Sequence, residues 1–381
     1  MSGGGPIRVA LVTNFVPGYR TDFLRRLAKS VEIDVTVFCS DGAPDHFQLA
    51  SHDALVRPLS SWCLGPEAVV WQRLPLRALA RSFDVVFLYG NPRYLSNVVA
   101  SFLLRWMGQK VVIQGQAHSH TSRGWSEKLR IGWWRRFGYH FVYTDADAER
   151  LKQLGFDSVV IGMNNGLDQT AIDEARSAWG RSRLAAWQER QGLAGRPVML
   201  SCARLVTKNR FHEVLDAMPT LLARHPGLVW CLIGDGPDRR RLEEMAAGRG
   251  LSDHVRFVGA LHEEAELAPW FCSARFLIHP GAIGLTLLHA FGYGVPVLTH
   301  DSVAHHGPEA CVLEPERNGL VYSRGDQRAL IAGCLALLDD PAGAAAMGRC
   351  ARATVRKQYN TAVMAERFHE MAHHAAAGSR S

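Results

Sequence analysis

Residues 198–224 decide the fold, because three consecutive segments predict a strand, a loop and a helix: Val198-Met-Leu-Ser-Cys202, Arg204-Leu-Val-Thr-Lys208-Asn209, and Phe211 to Arg224. The first is a short apolar run typical of a buried parallel strand, and the third is amphipathic. Arg204 and Lys208 are therefore expected at the carboxyl end of a strand, where open α/β sheets bind ligands. A guanidinium fork and an ammonium suit a diphosphate, although two solvated surface cations would explain this motif taken alone.

The alternation of strands and helices extends to both sides of this stretch. Apolar runs alternate with helical segments from Ile7 onward and again after Val198, which predicts parallel sheets covered on both faces. Residues 170–196 show no strand pattern and predict a connection plus one helix. At 381 residues the chain can hold two cores. We expect two doubly wound, Rossmann-like α/β domains, residues 1–170 and 171–354, with a C-terminal helix at about 355–372 completing the first.

The end of the chain carries two further expectations. The pattern predicts one long helix from about Ala344 to His369, which would include the segment that completes the first domain. The residues from His373 to Ser381 are expected to be disordered, because terminal segments of this composition are seldom held in place.

Composition narrows the class of protein. The net charge of +7 favours polyanions, membrane surfaces or phosphorylated ligands, and no nucleic-acid motif is present, so no nucleic-acid partner is expected. None of the eight cysteines forms a Cys-x-x-Cys pair, which favours a reducing compartment. No apolar run is long enough to span a bilayer. We expect a cytoplasmic protein, with peripheral attachment to the inner face of the membrane still open.

The segment Trp125 to Phe137 mixes aromatic and cationic residues. A helix of this composition can lie on an anionic lipid surface and provide peripheral membrane contact. Alternatively, its aromatic side chains pack in the core and its cations face water. The sequence favours neither interpretation.

Two glycine-rich loops follow predicted strands in the second half. Leu232-Ile-Gly234-Asp235-Gly236-Pro237 is weak evidence alone, because a simple turn would explain it. His279-Pro280-Gly281-Ala282-Ile283-Gly284-Leu285-Thr286 ends a strand and opens a helix near Gly284, whose free N–H groups would receive a phosphate. With Arg204 and Lys208 opposite, these loops predict a pyrophosphate cradle that needs no metal.

The order of these motifs resembles the donor domain of family-four retaining glycosyltransferases, which have the GT-B fold. The resemblance covers most of residues 140–300. Several motifs that occur in the family's order are more specific evidence than any one motif alone. The matching elements are Asn165-Gly166-Leu167-Asp168, Arg204 with Lys208, Ile233-Gly-Asp-Gly-Pro237, Val255-x-Phe-x-Gly259, Gly284-Leu285, Ala290 and Gly294-x-Pro296-Val297.

The resemblance implies transfer of a sugar, with retention, from a nucleotide diphosphate sugar to an acceptor hydroxyl in glycan, glycolipid or natural-product synthesis. The donor would bind the second domain and a sugar-bearing or lipid-linked acceptor the first, across a cleft. Uridine is the first expectation for the base, followed by guanosine or thymidine. The nucleotide sugar is a co-substrate, and neither a cofactor nor a metal is expected.

One departure from the family concerns its two glutamates around the Gly-Leu pair. Aligned on Gly284-Leu285, the first position holds Gly281 and the second His289. In the family the second glutamate holds the nucleotide ribose, and a histidine can still make one hydrogen bond there. Packing between helix and sheet is the alternative for His289.

Specific roles follow from the motifs and the resemblance. Arg204 and Lys208 would stabilise charge on the leaving diphosphate, and the resemblance places His118 beside the transferred sugar, so these three are the catalytic candidates. Tyr19 and Arg20, after the first strand, are expected on the acceptor side. The expected donor-binding residues are Gly18, Gly234, Gly259, Gly281, Ala282, Ile283, Gly284, Leu285, Thr286 and His289.

Four alternatives remain open. Asp145-Ala-Asp147 follows a strand and could hold a divalent ion as in GT-A enzymes, but Thr144 as a helix cap, with Asp147 closing a capping box, is favoured. A nucleotide-sugar epimerase can share this fold. A Rossmann dehydrogenase is disfavoured because the loop at Gly234 lacks the third glycine of its fingerprint. Absence of both glutamates leaves a non-catalytic nucleotide-sugar binder open.

Overall fold

The computed structural model describes residues 5–40, 55–64, 69–116 and 125–378, apart from the side chains of residues 64, 125 and 126. The chain divides into two compact units. The first contains Met1–Asp168 with Asn360–Ser381, and the second contains Gln169–Tyr359.

The first unit is built on a parallel sheet of seven strands in the order β3-β2-β1-β6-β7-β8-β9, with β4 and β5 as a separate antiparallel pair. The chain reverses direction across the sheet between β1 and β6. Its elements are β1 Ile7–Thr13, α1 Thr21–Ala28, β2 Ile33–Ser40, β3 Val56–Leu59, β4 Ser61–Leu64, β5 Val69–Gln72, α2 Leu76–Ser82, β6 Val85–Tyr89, α3 Leu95–Trp106, β7 Lys110–Gly115, α4 Trp125–Trp134, β8 Tyr139–Val142, α5 Asp145–Gln153 and β9 Val159–Gly162.

The second unit has a parallel sheet of six strands in the order β12-β11-β10-β13-β14-β15, with its own reversal between β10 and β13. Its elements are α6 Gln169–Ser177, α7 Arg181–Arg190, β10 Val198–Cys202, α8 His212–Arg224, β11 Val229–Ile233, α9 Arg239–Gly248, β12 Val255–Gly259, α10 Glu264–Ser273, β13 Phe276–His279, α11 Leu285–Tyr293, β14 Val297–His300, β15 Gly319–Tyr322, α12 Gln327–Asp339 and α13 Pro341–Gln358. The last helix of the chain, α14 Thr361–Ala377, returns to the first unit.

Helices cover both faces of the first sheet. On one face α14 contributes Phe368, whose ring stacks on Phe87 at 4.5 Å between centroids and meets Phe23 and Phe141 edge-on. On the other face α2 to α5 bury residues such as Leu104. Burial of apolar surface on both sides explains why the inner strands are continuous apolar runs.

The chain end differs from the expected single helix. α13 ends at Gln358, and α14 begins after Asn360, whose side chain accepts the N–H of Val363 at 3.0 Å. An Asx cap of this kind starts a new helix because it satisfies a free N–H group. The expected disorder from His373 is wrong as far as Ala377, since α14 continues there and Ala375 is buried. Residues 170–196 likewise hold two helices, α6 and α7, rather than one.

Three aromatic side chains of the Trp125 to Phe137 segment, those of Trp133, Trp134 and Phe137, belong to the core. Trp133 and Trp134 are buried, and their indole N–H groups donate to Ser101 Oγ at 3.0 Å and to the carbonyl of Gly90 at 3.1 Å. Phe137 is buried beside them. Contact of these three side chains with a lipid surface is therefore wrong, because the fold encloses them.

Within the described residues no single helix combines the length and apolar composition of a membrane span. α12 and α13 satisfy both criteria only when joined, and they bend by 97° at their junction.

Candidate active site

The loop after β10 is joined to the loop after β11 by backbone hydrogen bonds. Ala203 N–H donates to Ile233 O at 3.0 Å, and Leu205 N–H donates to Asp235 O at 2.9 Å. Gly234 has a φ of +137°, and a Cβ there would overlap the carbonyl oxygen of Ala203. Glycine is needed at this position for close approach of the two loops. This packing requirement exists whether or not Gly234 also binds the donor.

The same β10 loop touches the loop after β13. Gly281 is buried, and a Cβ there would overlap the carbonyl of Lys208 and the backbone of Asn209. The Asn209 side-chain amide donates to Arg204 O at 2.7 Å, which closes the turn from Arg204 to Asn209. The structure therefore brings Lys208 next to the glycine-rich loop.

The side chains of Arg204 and Lys208 are both exposed at this edge. Neither forms an ion pair or a side-chain hydrogen bond with the part of the chain that the structure describes. Two cations without carboxylate partners at a strand's carboxyl end are available to an anionic ligand.

Helix α11 begins at this same edge. Its N-cap is Gly284, which has no side chain to satisfy the first N–H groups. Thr286 Oγ1 donates to Cys202 O at 2.8 Å and so ties the start of the helix to the end of β10. β10 and β13 flank the reversal in strand order, the position where doubly wound sheets bind ligands. Free N–H groups and two cations thus occupy one anion-binding position.

His289 lies on α11 and is hydrogen-bonded to the carboxylate of Glu264, which no sequence motif indicates. Its Nε2 donates to Glu264 Oε1 at 2.8 Å, and Tyr293 OH donates to Glu264 Oε2 at 2.7 Å. Burial would raise the pKa of Glu264, but the hydrogen bond and charge of His289, with the Tyr293 hydrogen bond, outweigh it and lower that pKa. Burial, followed by the charge of Glu264, raises the pKa of Tyr293. Helix α10 therefore places the carboxylate of Glu264 beside His289, the position where the family has a glutamate.

Glu309 is a second carboxylate missed from the sequence. It lies in a short 3-10 helix, Pro308–Val312, in the loop after β14, and only 6% of its surface is exposed. Its Oε2 lies 3.5 Å from where a Cβ on Gly284 would be. Gly307-Pro308-Glu309 follows the predicted strand that ends at Thr299. That position after a strand was the only sign in the sequence that Glu309 could belong to the site.

Neutral histidines pack behind the glycine-rich loop. Burial, followed by the charges of nearby groups including His306, lowers the pKa of His279 to about 4 and that of His300 to about 3. His306 Nδ1 accepts the N–H of Ile283 at 3.3 Å, and its Nε2 donates to His300 O at 2.8 Å. This bonding fixes the loop from its buried side.

The predicted acceptor-side residues lie in the first unit. Tyr19 and Arg20 form a 3-10 turn after β1 with Gly18, which was predicted to bind the donor, and Tyr19 and Arg20 line a pocket with Gln114 at the end of β7. Arg20 Nη2 donates to Asn165 Oδ1 at 3.0 Å, and its guanidinium lies 5.8 Å from the centroid of the Tyr19 ring. Arg20 is thus held within a preformed pocket.

The remaining predicted site residues are His118, Gly259 and a run that follows β13. His118 lies outside the described residues. Gly259, at the end of β12, accepts the N–H of Gly234 at 2.8 Å. The remaining donor-binding candidates of the second unit, Ala282, Ile283, Gly284, Leu285 and Thr286, form the loop and helix start after β13.

Asp145-Ala-Asp147 forms the start of a helix. Thr144 Oγ1 accepts the N–H of Asp147 at 3.0 Å, and Asp145 accepts from Asn164 Nδ2 at 2.7 Å and Arg367 Nη2 at 3.1 Å. Among the described residues no group of three or more His, Cys, Asp or Glu side chains could hold a metal ion. The helix-cap interpretation accounts for the positions of both aspartates.

Known sequences resemble the chain, one of them across most of its length. The family described as glycosyl transferases group 1 matches residues 185–354. A GDP-mannose-dependent alpha-(1-6)-phosphatidylinositol monomannoside mannosyltransferase of Mycolicibacterium smegmatis is 30% identical over 366 residues, covering 90% of this chain and 92% of that protein. A Corynebacterium glutamicum GDP-mannose-dependent monoacylated alpha-(1-6)-phosphatidylinositol monomannoside mannosyltransferase is 29% identical over 182 residues, covering 45% of this chain and 46% of that protein.

Solved structures share the fold. Anabaena HepE in complex with UDP has a TM-score of 0.71 at 18% identity, with 96% of this chain and 98% of that chain covered. A putative UDP-N-acetylglucosamine 2-epimerase from Listeria monocytogenes has a TM-score of 0.61 at 15% identity, with 95% of each chain covered. At such identities the likeness concerns the fold alone. The prediction of a GT-B architecture of two Rossmann-like domains is confirmed.

Proposed function

The chain belongs to the glycosyl transferases group 1 family and is a glycosyltransferase, and from this premise we propose that it transfers mannose from GDP-mannose to a hydroxyl of a lipid-linked acceptor. The observation that carries the proposal is the shared edge of β10 and β13, where Arg204, Lys208 and the start of α11 converge. The donor and acceptor classes rest on the Mycolicibacterium relative, which resembles the chain along nearly its full length.

In the proposed reaction the bond between the anomeric carbon and the diphosphate oxygen breaks, and the electron pair leaves with the diphosphate. The acceptor oxygen bonds to the anomeric carbon, and its proton passes to the leaving diphosphate. Negative charge on the leaving group grows as the bond lengthens, so cations and helix N–H groups fixed beforehand lower the barrier. We assign this stabilisation to Arg204, Lys208 and α11, and propose retention of configuration on the resemblance alone.

No divalent ion is part of the proposal. Two side-chain cations and the α11 N-terminus supply the positive potential that a metal provides in other glycosyltransferases. Activity should therefore survive treatment with EDTA. Loss of activity on chelation, restored by manganese or magnesium, would require a different account.

A thermal-shift panel tests the donor class. GDP, UDP and dTDP, each alone and as a nucleotide sugar, are compared at equal concentration, because a ligand of the native state stabilises by RT ln(1 + [L]/Kd). GDP and GDP-mannose should give the largest shifts, about 2.7 kcal/mol at a hundredfold excess over Kd. Stabilisation by UDP and not by GDP would restore uridine, the base first expected from the family, and overturn the mannose proposal.

Turnover distinguishes the remaining alternatives. A nucleotide-sugar epimerase would isomerise its donor without an acceptor, and the epimerase-like fold neighbour makes this control necessary. A non-catalytic binder would be stabilised by nucleotide and release none from a nucleotide sugar. Acceptor-dependent release of GDP from GDP-mannose is the outcome that the proposal requires.

A further inference from the structure

Helix α3 exposes an apolar stripe along its outer face. Leu95, Val99, Phe102, Leu103, Trp106 and Met107, here called the α3 stripe, are all exposed, and Trp106 has 86% of its surface in solvent. Their spacing of three and four residues places them on one side of the helix. Single exposed apolar residues are ordinary, but a contiguous patch marks an interaction surface.

The opposite face of α3 is already used for packing. Ala100 and Leu104 are buried in the core, and Ser101 Oγ accepts the indole N–H of Trp133 at 3.0 Å. The helix is therefore held in place by its inner side, and the stripe is not needed to attach it to the sheet. No described element covers the stripe.

Three arginines border the C-terminal end of the stripe. Arg105, Arg135 and Arg136 are exposed, and none pairs with a carboxylate in the described parts of the chain. The Arg105 guanidinium lies 5.9 Å from the Phe137 ring centroid and donates to Arg136 O, while Phe102 lies 5.5 Å from the same ring. The apolar and cationic groups thus form one surface, the α3 patch, whose rim also carries the exposed carboxylate of Asp157.

We propose that the α3 patch docks the protein on an anionic lipid bilayer. The stripe would enter the interface between headgroups and acyl chains, with the tryptophan at the headgroup level, and the arginines would contact anionic headgroups. Charge favours lipid over a second copy of the chain, since two copies meeting face to face would bring six arginines together. The net charge of +7 acts in the same direction.

This inference goes beyond the proposed function, because it concerns where the enzyme sits and not which donor it uses. A peripheral enzyme with a lipid-linked substrate needs a surface that holds it at the membrane. The α3 patch supplies it through a helix that packs against the Trp125 to Phe137 segment, in which Trp133, Trp134 and Phe137 are enclosed.

Vesicle flotation of the full chain without nucleotide tests the proposal. Vesicles of phosphatidylcholine alone are compared with vesicles of phosphatidylcholine and phosphatidylglycerol, and the protein should bind the second far more tightly. The double change Phe102→Ser, Trp106→Ser should weaken binding at least about tenfold through lost apolar burial. Arg135→Gln with Arg136→Gln should weaken binding to the anionic vesicles about fivefold for each charge.

Matched controls come from the second unit. Val303→Ser removes an exposed apolar residue outside the patch, and Arg181→Gln with Arg190→Gln removes two exposed cations outside it. Both controls should bind vesicles as the unchanged protein does. An unchanged urea midpoint of the first unit in every variant shows that the altered unit is folded. Nucleotide binding is measured separately on the second unit, so membrane binding and the proposed function fail separately.

Three results would overturn the proposal. The first is failure of the unchanged protein to bind anionic vesicles, and the second is equal binding by the Phe102, Trp106 double variant. The third is a lipid-free dimer in sedimentation velocity that the same double variant abolishes, which would assign the stripe to a second copy of the chain.

Discussion

Arg204 and Lys208 owe their positions to neighbours that carry no charge. The Asn209 amide closes the turn between them, and Gly281 allows the next loop to lie against the backbone of Lys208. Two cations held on a rigid turn lose little freedom when a diphosphate binds, which is how preorganised groups contribute most to binding and catalysis. The chemistry of the edge therefore depends on small and polar residues as much as on the cations.

His289 was expected either to contact the nucleotide ribose or to pack between helix and sheet, and the structure instead shows it hydrogen-bonded to Glu264. Because its Nε2 donates to Glu264, we expect His289→Ala to lower the stability of the unliganded protein by about 1–3 kcal/mol, the usual cost of leaving a partly buried charged acceptor without its partner. Thermal or denaturant unfolding measures this loss. Unchanged stability would contradict the Glu264 pairing.

The ribose role of His289 is tested on the same variant. If the imidazole also contacts the ribose, nucleoside diphosphate affinity should fall by about 0.5–1.5 kcal/mol, the net value of one neutral hydrogen bond. Calorimetry on the folded fraction measures it. An unchanged dissociation constant would leave His289 as a positioning residue for Glu264 and retire the ribose assignment.

At the scale of elements, the candidate site consists of the carboxyl ends of strands β10 and β13 and the N-terminus of helix α11. The ends of β10 and β13 flank the reversal of the sheet, and α11 begins between the loops that follow them. Thr286 bonds the helix start to the end of β10 through the carbonyl of Cys202, and Asn209 closes the loop after β10 through the carbonyl of Arg204. Displacing one loop should therefore disturb donor binding without removing any charge.

Gly281→Ala tests this dependence. The added methyl group would overlap the backbone of Lys208 and Asn209, so the two loops must separate, and we expect nucleotide affinity to fall at least about tenfold. Gly248→Ala is the matched control, since open space surrounds Gly248 in α9. It should leave affinity unchanged and add about 0.5–1 kcal/mol of stability. Wild-type affinity in Gly281→Ala would show that loop contact is not required.

The sequence predicted the elements that carry the site because they are the most deeply buried. The strands at Val198–Cys202 and Phe276–His279 are short apolar runs covered on both sides, so their ends place the loops reliably. Edge strands such as Val56–Leu59, which contains an arginine and a proline, have no such pattern.

Contacts between distant residues escaped sequence reasoning. Glu264 meets His289 from another helix, 25 positions away, and periodicity carries no information about that pairing. The Trp125 to Phe137 segment mixes aromatic and cationic residues, so its composition does not predict which side of the helix faces the core. The three-dimensional structure resolves it through the buried indoles of Trp133 and Trp134.

At the scale of the molecule, both units bury neutral histidines. Burial lowers the pKa of His140 in the first unit to about 4, and the second unit holds His279 and His300 with pKa values of about 4 and 3. An unfolded histidine titrates near 6.5. Between about pH 6.5 and 4 the unfolded chain therefore binds more protons than the native protein, and stability rises with pH across that window.

We therefore expect the urea midpoint to be nearly constant above about pH 7 and to fall progressively as the pH drops below about 6.5. Because the chain divides into two compact units, each needs its own unfolding probe. His140→Gln should flatten the dependence in the first unit and leave the second unchanged. A midpoint independent of pH between about 7 and 5 would show that these histidines do not remain neutral in the native protein.

The central claim is that Arg204 and Lys208 bind a nucleoside diphosphate at the β10 and β13 edge. Calorimetric titration with GDP, on the unchanged protein and on Arg204→Ala and Lys208→Ala, tests it most directly. Each change should weaken binding by about 1.5–3 kcal/mol, the value of a hydrogen bond to a charged group, with melting temperature unchanged. Arg241→Ala, an exposed cation elsewhere in the unit, should bind as the unchanged protein does. Equal GDP affinity in all four proteins would contradict the account.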